Sequence, residues 1–60
     1  MQASEVHDYA SQLLKLHGDQ AEVIASQKAL ECEKSGDHQE AQNWRRIRDT
    51  ILEMRGPHAS

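Results

Sequence analysis

The sequence is poor in most of the devices that hold small proteins together. It contains one cysteine, Cys32, so no disulfide can close within the chain. It contains no phenylalanine, and Tyr9 and Trp44 are its only aromatic residues. They are left to supply most of the bulky packing, with Leu, Ile, Val, Met and Ala doing the rest. No stretch approaches the roughly 18 consecutive apolar residues of a transmembrane helix. Met1 to Val6 lacks the basic and apolar regions of a secretory signal. A lone thiol fits a reducing compartment, so the expected address is the cytoplasm. Glycine and proline are scarce too, with three and one copies, and their few positions therefore carry information.

Sixty residues make one domain at most. A chain of this length buries only about 60% of the surface its unfolded form exposes, and without a disulfide it needs regular helix packing or a partner. The composition, 37% hydrophobic and 28% charged, is thin for a rigid core yet lies above the disordered regime. A net charge of −3 argues against a protein built to coat nucleic acid or an anionic membrane. The cations are unevenly placed: Lys15, Lys28 and Lys34 precede Gly36, whereas Arg45, Arg46, Arg48 and Arg55 follow it.

Start and stop signals divide the chain into three helices. Ser4 stands as an N-cap before Val6, Tyr9, Ala10, Leu13, Leu14 and His17, whose spacing of three and four residues marks one helix face. Gly18 ends that helix, since glycine takes a left-handed conformation without steric cost. Asp19 then caps a second helix, with Glu22 at the reciprocal position of a capping box. The arrangement repeats: Gly36 stops, Asp37 caps, and Glu40 stands three residues on. A glycine inside a helix costs only about 1 kcal/mol, but Gly followed by Asp-x-x-Glu, twice, favours three helices over two. The third carries Ala41, Trp44, Ile47, Ile51 and Met54 on one face, flanked by Leu52, and stops at Gly56-Pro57. The expected fold is an all-α compact three-helix bundle over residues 1–56, with helices at about 4–17, 19–35 and 37–55. Residues 57–60 are expected to form a frayed tail. Connections of two to three residues fold neighbouring helices sharply back on each other.

The second helix is two-sided. Ala21, Ile24, Ala25, Ala29 and Cys32 fall on one side, and Val23 and Leu30, with Gln27 between them, on nearly the opposite one. Either this helix is sandwiched between the other two, the simpler arrangement on packing grounds, or Val23 and Leu30 face a partner.

No constellation of residues carries a catalytic, metal or cofactor signature. His7, His17, His38 and His58 are scattered, without the close pair that zinc sites use. His17 belongs at a helix C-terminus, where it meets the negative end of the dipole, and His38 in a solvated first turn. Cys32, near a helix C-terminus between Glu31 and Glu33, has its thiolate disfavoured and reads as inert core. The pairs Glu31/Glu33 and Asp49/Glu53 lack an apolar pocket and read as solvated charge. Arg45-Arg46-Ile47-Arg48 is the most suggestive run, because arginines bind phosphate in bidentate fashion. These arginines point in different directions, however, and are interleaved with Asp49 and Glu53. Arg48 or Arg55 could lie over the indole of Trp44. Trp44 itself is a core anchor, or alternatively an interface hot spot.

With these residues in place, His17-Gly18, Ala21, Ile24, Gly36-Asp37, Ala41, Trp44 and Ile47 resemble the spacing of a group of short proteobacterial proteins that form a domain of unknown function. The resemblance covers roughly residues 5–54. It implies a bacterial source and a free-standing small protein, and it carries over no activity. Gly36-Asp37-His38-Gln39-Glu40-Ala41 is also similar to the turn of a tetratricopeptide hairpin. There is a single copy, and Arg45 and Arg48 stand where that repeat has apolar residues, so the similarity is convergence on a helical hairpin.

The expectation is a non-enzymatic interaction or regulatory module without cofactor or small-molecule substrate, self-associating or bound to another protein. Val23, Gln27, Leu30, Trp44, Arg45, Arg48 and Arg55 are the candidate interaction residues, and Leu16 offers further apolar surface. The alternative is a nucleic-acid-associated accessory protein using Arg45, Arg46, Arg48 and Arg55.

Overall fold

A computed structural model describes residues 2–56, the side chain of Ala3 excepted. The expected tail at 57–60 lies outside the described residues. Three helices, α1 (Ala3–His17), α2 (Gln20–Lys34) and α3 (His38–Met54), pack as a three-helix bundle. Each boundary falls within one residue of its sequence-based position, but two of the three expected N-caps do not form as drawn.

Helix α1 begins at Ala3, so Ser4 sits inside the first turn and is not the cap. Gln2 occupies the cap position with extended backbone (φ −82°, ψ 159°), and its amide donates to Glu5 Oε1 at 3.0 Å. The glutamate at the third helical position thus satisfies the cap amide with a charge-assisted bond.

At the first junction Gly18 serves both helices. Its amide donates to the Leu14 carbonyl at 2.9 Å, and its carbonyl accepts from the Ala21 amide at 3.0 Å. Its dihedrals, φ 57° and ψ −125°, are those of the first corner of a type II′ turn. Winding therefore resumes already at Asp19, which is helical (φ −63°, ψ −22°) and makes no side-chain cap. Side-chain capping needs an extended residue at the cap, so the expected Asp19/Glu22 capping box is absent.

The second junction follows the sequence more closely. Gly36 (φ 85°) donates to the Glu33 carbonyl at 3.1 Å, and Asp37 donates to the Cys32 carbonyl at 2.8 Å. These two bonds complete a Schellman motif. Asp37 then caps α3, its Oδ1 accepting from the Glu40 amide at 3.2 Å. The return bond from Glu40 does not form, because the Asp37 amide is already committed to Cys32.

Helix α3 packs most extensively against α2 and less against α1, while α1 and α2 touch least. Helix α3 is thus the shared element, and the expectation of a sandwiched α2 is overturned. Ala21, Ala25 and Ala29 give α2 a flat face that lets α3 approach closely, whereas a helix with bulky residues on both sides would hold its neighbours apart. The central cluster joins Val6, Ala10 and Leu13 of α1, Ala21 and Ala25 of α2, and Ile47 and Ile51 of α3. Leu14, Ile24, Trp44 and Met54 close its edges. The bulk comes from Ile47 and Ile51, the largest fully buried side chains, each contributing roughly 1.5–3 kcal/mol by burial. The aromatic pair is peripheral. Tyr9 is 42% exposed and meets the half-buried Trp44 edge-on, with centroids 5.3 Å apart. Trp44 is therefore a rim anchor of the core and not its centre.

Candidate interaction surface

Helix α2 carries the clearest surface feature. Its alanine face is buried, so Val23 and Leu30 project outward, 45% and 56% exposed. Gln27 lies exposed between them. At 100° per residue, Asp19, Val23, Leu30 and Lys34 fall within a sector of about 60°, and all four are exposed. Leu16, 76% exposed, adds apolar surface at the end of α1, and Leu52 stands half-exposed on α3. Among the described residues no helix packs over Val23 or Leu30.

The arginines take different roles. Arg45 reaches back to Glu33 of α2 in a close ion pair. Arg55 stands 3.2 Å from Asp19 and 3.2 Å from Glu22, binding the end of α3 to the start of α2. Arg48 pairs with its neighbour Asp49 at 3.1 Å. Arg46 alone makes no ion pair among the described residues. Three of the four guanidinium groups are thus committed to carboxylates, two of them across helices. No cation stands over Trp44 among the described residues; its ring partner is Tyr9. The expected stacking of Arg48 or Arg55 on the indole is absent because acidic partners lie within reach.

Glu33 is not the solvated charge that its position suggests. It accepts from His38 Nδ1 at 2.7 Å and from Arg45, joining the last turn of α2 to the first and second turns of α3. Hydrogen bonding from His38 foremost, then from Arg45, holds its carboxyl below the usual glutamate range. His38 lies in the first turn and is exposed, as expected, but it is partnered. His17 is exposed in the last turn of α1 and does not pack.

Cys32 is half-buried, and its pKa is raised, foremost by partial burial and then by Asp37, Glu40 and Glu31. The unreactive assignment agrees with this direction, but the causes differ from those expected. The acidic neighbours that raise it come foremost from the start of α3, Asp37 and Glu40, and then from Glu31.

Shallow depressions mark the surface of the described residues. One is lined by Glu5, Asp8, Tyr9 and Gln12 on α1, another by Val6 of α1 with Arg46, Asp49 and Thr50 of α3. Among the described residues no polar side-chain atom is buried without a partner, and no group of His, Cys, Asp and Glu is placed to hold a metal. Among the described residues no helix is long and apolar enough to cross a membrane.

Comparison with protein-family models, curated proteins and solved structures returns no match. The surface must therefore be interpreted from its own chemistry. Sequence reasoning found Val23, Gln27 and Leu30 by periodicity. It missed the two inter-helix ion clusters, Arg55 with Asp19 and Glu22, and Glu33 with His38 and Arg45. Nothing in linear spacing links residues 33 positions apart.

Proposed function

We propose that this protein is a small helical interaction module that associates with itself through the outward face of α2. The observation that carries the reading is the exposure of Val23 and Leu30 on a helix whose other face is already fully used. A thin core whose largest fully buried side chains are Ile47 and Ile51 leaves little else to stabilise so short a chain, and covering this stripe would add further apolar burial. The reading is non-enzymatic and involves no cofactor, small-molecule substrate or membrane, since the carboxylates and imidazoles of α1–α3 cap helices, pair with cations or face solvent. A cytoplasmic location agrees with the single, weakly acidic thiol, and a bacterial source rests on the resemblance in spacing.

The nucleic-acid alternative finds less support. Arg45, Arg48 and Arg55 are neutralised by carboxylates of the same chain, and phosphate would have to displace them.

Sedimentation equilibrium up to millimolar concentration tests the reading. A concentration-dependent mass is expected, and Val23→Ser with Leu30→Ser should reduce association while far-UV circular dichroism stays unchanged. A strict monomer would overturn it.

A further inference from the structure

We propose that two copies of this chain pair antiparallel along α2, with Val23 of each resting on Leu30 of the other and Lys34 of each meeting the Asp19 corner of the other. The inference rests on the self-association proposed above and adds its partner contacts, direction and register.

The argument begins from spacing. Asp19, Val23, Leu30 and Lys34 are separated by four, seven and four residues. Because Asp19 is already helical, all four belong to one continuous wheel and share one exposed sector. The series is palindromic about the point between Ser26 and Gln27. A two-fold axis at that point exchanges Val23 with Leu30 and Asp19 with Lys34, as an isologous interface requires. Gln27, exposed beside the axis, stands where its amide can meet the polar residues of the second copy.

Charge supplies the direction. At one end of the stripe Asp19 and Glu22 share the single guanidinium of Arg55. That corner holds two carboxylates against one cation and keeps an excess negative charge. At the other end Lys34 is exposed and makes no ion pair among the described residues. Neither Glu31 nor Glu33 of its own helix pairs with it among the described residues, and Glu33 is taken by His38 and Arg45. Antiparallel pairing sets each lysine on the excess negative corner and opposes the two helix dipoles. Parallel pairing would set Lys34 on Lys34 and the acidic corners on each other.

The apolar contact is small, two side chains per copy, and lies far below the roughly 800 Å² per partner of a stable complex. The dimer is therefore weak and is expected only at high protein concentration.

The wild-type chain provides its own test. Asp19 and Lys34 are 15 residues apart on one helix, about 22 Å along its axis. A zero-length carbodiimide amide between them can thus form only between molecules. An equimolar mixture of ¹⁴N- and ¹⁵N-labelled chains at millimolar concentration would be treated with carbodiimide and its covalent dimer analysed by peptide mass spectrometry. The expected result is a mixed-isotope link from Lys34 to Asp19 or Glu22. In sedimentation, Lys34→Glu should lower the association constant about tenfold, since each dimer contains the pair twice. Covalent dimers linked only elsewhere would overturn this register and leave self-association standing. A monomer in sedimentation at the same concentration would overturn both.

Discussion

The junctions at Gly18-Asp19 and Gly36-Asp37 share the pattern Gly-Asp-x-x-Glu, yet the chain folds them into different structures. At the second, each residue does what its type prefers: Gly36 closes a Schellman motif and Asp37 caps the next helix. At the first, Gly18 alone performs both the stop and the start, and Asp19 and Glu22 are released to bind Arg55 from the far end of the chain. The second junction has one more residue, Ser35, between its helices, and this allows stop and start to be separate events. Ser35 also donates its hydroxyl to the Cys32 carbonyl at 3.1 Å. The same local motif thus encodes a local turn in one place and a long-range tie in the other, according to how many residues are available to reverse the chain.

Substitution of the two glycines should separate the junctions most sharply. Both have positive φ, and a Cβ at either would meet no atom within 4 Å, so the cost is conformational. Gly18 has ψ near −125°, outside both the right- and left-handed helical wells, and Gly18→Ala should destabilise by about 2 kcal/mol in urea titrations. Gly36 lies at a Schellman position that asparagine also adopts, so Gly36→Asn should cost under about 1 kcal/mol. Equal losses from Gly18→Asn and Gly36→Asn would erase the distinction.

The two aspartates come next. Asp37→Ala removes a cap and should cost about 1 kcal/mol. Asp19, whose side chain is 90% exposed and caps nothing, should cost less when replaced by alanine. A larger loss at Asp19 than at Asp37 would show that the capping assignment is inverted.

Arg55→Ala tests the long-range tie directly. Its loss should be at most about 1 kcal/mol and should shrink as salt is added, because surface ion pairs are screened. Thermal melts at low and high ionic strength measure it.

The smallest effect is a pH dependence confined to the second junction. Glu33 has its carboxyl held below the usual glutamate range by His38 and Arg45. Its contribution is therefore fully present above the ordinary glutamate pKa and is lost as pH falls through the lowered folded value. Thermal stability of the wild type should fall relative to Glu33→Gln across that acid window. Parallel curves would remove Glu33 from the account.

Much of this architecture was legible in the residues. Glycine, aspartate and proline at intervals, with apolar residues three and four apart, mark helix ends and faces through local steric and hydrogen-bonding preferences. That is why three helices, their lengths and the placement of Val23 and Leu30 opposite the alanine face of α2 could be anticipated. The N-cap at Gln2 was less legible, because Ser4 is the stronger cap by type and only the reach of Glu5 to the Gln2 amide decides against it. The role of Trp44 was misjudged in degree. The aromatics were expected to supply most of the bulky packing; Trp44 does pack against the core, but Ile47 and Ile51 occupy its centre, where α3 faces α1 and α2 together.

The sequence by itself determined the number of helices, the shortness of both connections and the two-sided character of α2, since each depends on interactions within a few residues. The tertiary structure alone decided that α3 is the shared helix, that Val23 and Leu30 remain uncovered, and that Arg45 and Arg55 serve as ties between helices. Those outcomes depend on which faces meet once the chain has turned twice, and on ion pairs spanning 12 and 33 residues. No local preference encodes such distances.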